Sequence, residues 1–99
     1  MTPLQCLASR AILGLSLDDL AAKSHISAVA LGRFERGETK LLKLGRITIE
    51  KLFADSGLLF DMTDRGDLVL AYPERLEAEH IERKTRRRLS AGSNADAAL

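Results

Sequence analysis

Apolar residues recur at three- and four-residue spacing over the first 57 positions, then alternate with a period of two, then thin out into a charged helical stretch. Pro3 suits a first helical turn, and Leu4, Leu7, Ala8, Ala11 and Ile12 follow at helical spacing until Gly14 stops them. Ser16 is a good N-cap, Asp18 and Asp19 put negative charge in a first turn, and Leu17, Leu20 and Ala21 share one face. This predicts a short second helix ending near Ser24. Ser27 caps again, Leu31 and Phe34 lie three apart, and Gly37 stands where a left-handed C-terminal residue is wanted. After a short basic connection, Leu44, Ile47, Ile49, Leu52 and Phe53 support a fourth helix that Gly57 terminates.

The period then changes. Leu58, Phe60 and Met62 alternate with Leu59 and Asp61, and Leu68, Leu70 and Tyr72 alternate with Val69 and Ala71, around a turn at Asp64-Arg65-Gly66-Asp67. This reads as a β-hairpin. An isolated hairpin is marginal in water, so it must pack its apolar face on the helices or pair with a second copy. The second option predicts a homodimer held through Phe60, Met62, Leu68, Leu70 and Tyr72. From Glu74 to Leu89 there is no helix breaker, acids crowd the first half and bases the second, and the apolar positions Leu76, Ala78, Ile81 and Leu89 are sparse. This predicts an exposed helix docked weakly or against a partner. The small polar residues from Ser90 predict a disordered tail.

At 99 residues the chain is one domain by length, 45% hydrophobic and 29% charged, with one Tyr, three Phe and no Trp, so Leu, Ile and Ala must build its core. No apolar run approaches the roughly 20 residues needed to span a bilayer, and the N-terminus lacks a basic segment followed by an apolar one. A cytoplasmic protein with no membrane partner is expected. The lone Cys6 excludes an internal disulfide and any cysteine-rich zinc site, and reads as a small, partly buried residue of the first helix. His25 sits in the turn after the second helix, in a turn-compatible backbone conformation, and His80 lies solvated in the acid-rich helix; neither supports a metal site. No Ser-His-Asp order, Gly-rich phosphate loop or convergent carboxylate pair is present, so neither an enzyme nor a cofactor is expected.

The weak net charge of +1 conceals strongly charged parts. Residues 33–46 carry five cations against two acids, net +3; residues 57–82 carry two against seven, net −5; residues 83–99 carry five against one, net +4. The first basic stretch follows two short helices joined by a tight turn, the outline of a helix-turn-helix. Ala21 is small where crossing helices approach, Ile26 plugs the turn, and Leu31 faces the core, leaving one side of the third helix free for a major groove about 12 Å wide.

SRAILGLSLDDLA (9–21), IS (26–27), GRFERGE (32–38) and FADSGLLF (53–60) stand, without gaps, where a known family has its usual pattern. The run from Cys6 to Phe60 resembles the Cro/Xre-type helix-turn-helix regulators of phages and bacteria. The resemblance implies a dimeric regulator of transcription whose third helix enters the major groove of double-stranded DNA. It also implies that Arg10 and Glu35 form a partly buried ion pair, which assigns both to structure. The expected fold is mainly α: a four- to five-helix, repressor-like core over 1–57, the hairpin over 58–73, the charged helix over 74–89 and the tail over 90–99.

The chain departs from the family at the positions that usually read bases. Leu17 stands where Gln is frequent, and Ala28, Val29, Ala30 and Gly32 replace polar residues. Two accounts are open. In the first, Ala28 and Val29 touch thymine methyls, Gly32 lets the backbone approach closely, and Arg33 is the strong base reader. Ser27 at the helix N-terminus, with Lys40, Lys43 and Arg46, then holds phosphates and sets register. In the second, the Ala-Val-Ala-Gly face is a small apolar surface for another regulatory protein, as in an antitoxin or antiactivator. The RKTRRR run at 83–88 can lie along phosphates, bind an acidic partner, or be satisfied by the acids at Glu74, Glu77, Glu79 and Glu82.

Overall fold

The computed structural model describes the backbone of residues 1–98 and the side chains of residues 1–88. Its elements are α1 (Pro3–Leu13), α2 (Leu17–Ser24), α3 (Ala28–Glu35), α4 (Lys43–Asp55), β1 (Leu59–Met62), β2 (Leu68–Ala71) and α5 (Glu74–Ala98). The fold is mainly helical with a small antiparallel hairpin near the C-terminus.

Local chemistry sets most boundaries. The Thr2 hydroxyl accepts from the Gln5 amide while the Gln5 side chain accepts from the Thr2 amide, a capping box ahead of Pro3. Ser16 and Asp19 repeat the arrangement at α2, and this hydrogen bonding from Ser16 holds the Asp19 carboxyl below its ordinary range. Gly14, at φ +69°, closes α1 in the left-handed conformation. At α3 the Gly37 amide donates to the Phe34 carbonyl and the Glu38 amide to the Arg33 carbonyl, a Schellman ending with Gly37 at φ +76°.

Each of the first four helices gives the core one or two side chains: Cys6 from α1, Leu20 from α2, Leu31 and Phe34 from α3, Ile49 and Phe53 from α4. Leu58 and Leu76 close it from the hairpin side and from α5. Within α4 the inward face is narrower than its apolar residues suggest. Ile49 and Phe53 are buried, whereas Leu44 and Ile47 are exposed, because at 3.6 residues per turn the latter two fall on the opposite side of α4.

The hairpin pairs Leu59 with Ala71, Phe60 with Leu70, Asp61 with Val69 and Met62 with Leu68. Phe60 and Leu70 pack on the core, and the Phe60 ring meets Phe53 at 6.2 Å between centroids. The Gln5 side chain donates from Nε2 to the Val69 carbonyl at 3.3 Å, tying α1 to β2. Of the predicted dimer residues, Met62, Leu68 and Tyr72 are exposed, while Phe60 and Leu70 are committed inward. The packing option therefore accounts for two of these five residues.

The backbone corrects the expected end of the last helix. α5 continues through 90–98, the segment expected to be a disordered tail; Leu99 lies outside the described residues. Ser90 to Ala98 contains no proline and four alanines, the strongest helix formers, against a single glycine that costs about 1 kcal/mol. No helix among the described residues is long and apolar enough to cross a membrane.

Candidate nucleic-acid interface

The α2–α3 junction is built from short-range bonds. His25 adopts φ +60°, and its amide donates to the Ala21 carbonyl at 2.9 Å, ending α2. The buried Ser24 hydroxyl accepts from the Ile26 amide. The Ile26 side chain then fills the space over α4, with Cδ1 2.8 Å from where a Gly45 Cβ would stand. Ser27 starts α3, its hydroxyl accepting from the Ala30 amide at 3.1 Å. α2, the turn and α3 thus form a helix-turn-helix clamped onto the first turn of α4.

With Leu31 and Phe34 turned inward, the exposed arc of α3 holds Val29, Arg33 and, at its C-cap, Arg36. These fall within about 60° of one another at 3.6 residues per turn. The predicted contacts omit Arg36, although the spacing 29, 33, 36 is legible in the sequence. Arg36 is paired with Glu38 through Nε–Oε1 at 2.9 Å and Nη2–Oε2 at 3.2 Å; that bonding raises the pKa of Arg36 and lowers that of Glu38. Arg33 is exposed, and among the described residues no hydrogen bond engages its guanidinium.

Gly32 is corrected. It is buried, and a Cβ there would meet Arg36 Nη1 at 3.2 Å and Leu17 Cδ1 at 3.5 Å. Its lack of a side chain serves helix packing, because position 32 lies on the flank of α3 that α2 covers. Leu17 and Gly32 are therefore one device: an apolar side chain at the start of α2 packs across a bare stretch of α3. Ala28 and Ala30 are half-buried beside it, and Val29 at 63% exposure is the one open apolar position of α3.

The flanking cations are all exposed. Lys40 and Lys43 border a cleft of about 540 Å³ that His25 and Ala30 also line, so the fold brings them to the α2–α3 turn. Arg46 lies one turn further along α4, 3.7 Å from Glu50. The basic run of α5 is partly used within the fold. Arg83 Nη2 donates to the Ile12 carbonyl at 3.3 Å, beside Gly14, where it meets the negative end of α1. Arg86 bonds Glu82. No pattern in the sequence points to the Arg83 contact, which joins residues 71 positions apart.

Behind the exposed face, Arg10 and Glu35 form a bidentate pair, Nε–Oε2 and Nη2–Oε1 both at 2.7 Å, and Arg10 Nη1 donates to the Leu15 carbonyl. This is the pair that the resemblance implies. Cys6 Sγ donates to Glu35 Oε2 at 3.4 Å, and burial, with the neighbouring carboxylate, pushes the thiol up to about 12. The pair joins the first and third helices under the exposed arc and holds α3 in place.

No protein-family model and no curated protein matches the chain.

Proposed function

We propose that this chain is a sequence-specific DNA-binding regulator of transcription that acts in the cytoplasm as a homodimer, binding a short operator and repressing by occupying it. The observation that carries this reading is the exposed arc of a capped α3 that includes Arg33, flanked by the exposed cations Lys40, Lys43 and Arg46. Arg33 reads a guanine edge through paired donors, Val29 meets a thymine methyl, and Ser27 with the flanking cations grips phosphates. With so few hydrogen-bonding groups on α3, half-site spacing of about one helical turn and DNA deformability supply the remaining specificity.

Recovery of genomic fragments by the purified protein tests this reading. Wild type enriches a discrete site, and Arg33→Ala weakens binding there by about 1–3 kcal/mol, roughly tenfold or more. Affinity falls steeply with salt at a log–log slope near about −0.9 per phosphate neutralised, and Lys43→Ala makes that slope shallower without changing which site is preferred. No enriched site, or equal enrichment by Arg33→Ala, would overturn it.

A further inference from the structure

Among the described residues the most exposed large apolar side chains are Leu42 at 85% and Leu44 at 78%, at the start of α4. They line a cleft of about 540 Å³ together with Ile26, Ala30, Leu41, Lys40 and Lys43. Nothing in the DNA-binding reading uses these leucines, since phosphates satisfy the lysines and leave Leu42 and Leu44 in water. An apolar cleft continuous with exposed leucines marks an interaction surface.

We infer that this cleft receives an acidic amphipathic helix from another protein, with the helix's apolar stripe on Ile26, Leu41, Leu42 and Leu44 and its carboxylates on Lys40, Lys43 and Arg46. Charge decides among the possible occupants. The stretch 33–46 is net +3, which an acidic segment neutralises. The chain's own acidic stretch, 57–82, turns Leu58, Phe60, Leu70 and Leu76 onto its own core and so offers a second copy no free apolar helical stripe. Exposure decides against a small ligand, because the cleft wall made by Leu42 and Leu44 stays largely in water and would leave a small molecule poorly enclosed, whereas a helix covers both side chains. A helix lying in a groove has this arrangement of central apolar anchors and charged flanks. Resting on the DNA-binding reading, the inference also makes the segment a release device: it takes the cations that hold phosphates, so partner and operator exclude each other.

The probe is a synthetic helix with leucines at i, i+3, i+4 and i+7 and glutamates elsewhere, against a scrambled peptide of identical composition, read by fluorescence anisotropy. Wild type binds the amphipathic peptide about tenfold or more tighter than the scrambled one, and the double variant Leu42→Ser, Leu44→Ser loses that preference. Circular dichroism shows the variant folded, as side chains already in water require. In a second arm the peptide displaces an operator fragment from wild type but not from the double variant. Equal binding of the two peptides, unchanged peptide binding by the double variant, preferential binding of phosphatidylglycerol vesicles, or a wild-type dimer that the double variant alone loses would overturn the inference. If no DNA binds while the peptide preference holds, the DNA-binding reading falls and the cleft assignment stands.

Discussion

Around Cys6 and Ser9 the interior of α1 is polar in an unusual way. The folded chain keeps the Cys6 proton up to about pH 12, whereas an unfolded thiol releases its proton near 9.0. Between those values the unfolded state alone loses a proton. Stability from this group is therefore complete below pH 9 and falls as pH rises, at about 1.4 kcal/mol per unit. Urea midpoints collected from pH 8 to about 11 should show that fall, and Cys6→Ala should flatten the part due to the thiol. The buried Ser9 hydroxyl has no hydrogen-bond partner among the described residues. An unsatisfied buried hydroxyl costs about 1–3 kcal/mol, and alanine is the better helix former. Ser9→Ala should raise stability by about 1 kcal/mol, seen as a higher urea midpoint at unchanged slope; a lower midpoint would reveal a bond to the hydroxyl that its surroundings do not show. Neither effect is legible in the sequence, where Cys6 reads as partly buried and Ser9 carries no signal, because burial depends on what α3 brings alongside.

Among the elements, the helices were readable and their mutual contacts only partly so. Ser16, Ser27, Gly14 and Gly37 mark the helix ends because capping and left-handed closure are local chemistry. Gly14 also has a long-range role. A Cβ there would lie 2.6 Å from the Arg83 guanidinium, on a backbone at φ +69°. Gly14→Ala should cost about 1–2 kcal/mol from the left-handed conformation alone, and should also push Arg83 from the end of α1. Thermal melts of Gly14→Ala and Arg83→Ala, singly and together, check this: the double variant should lose less than the sum of the two. The candidate interface was legible in Ser27, Val29 and Arg33, which follow from helical spacing. Gly32 was not, because its surroundings come from Leu17 across the turn.

For the whole molecule, the hairpin is where packing and assembly compete. Leu70 lies against the core beside Phe60, while Leu68 at 54% exposure and Met62 at 60% extend the same face beyond it. Leu70→Lys should destabilise the monomer by about 2 kcal/mol or more, through lost burial and a poorly solvated charge. Leu68→Lys should leave that stability unchanged and dissociate the proposed dimer. Sedimentation with parallel urea denaturation separates the two, and a Leu68→Lys variant that remains dimeric removes the hairpin tip from the interface. The sequence by itself determined the first four helices, the ends marked by Gly14, Ser16, Ser27 and Gly37, the hairpin and the alternation of charge, since these follow from propensity, spacing and composition over a few neighbouring residues. Only the tertiary structure decided that Gly32 is a packing position, that Phe60 and Leu70 are spent on the core, that Arg83 closes α1, and that Leu42 and Leu44 stand in water along a basic cleft. Each of those depends on which surfaces meet across long stretches of chain, and the free energy of burial belongs to the meeting surfaces rather than to either residue alone.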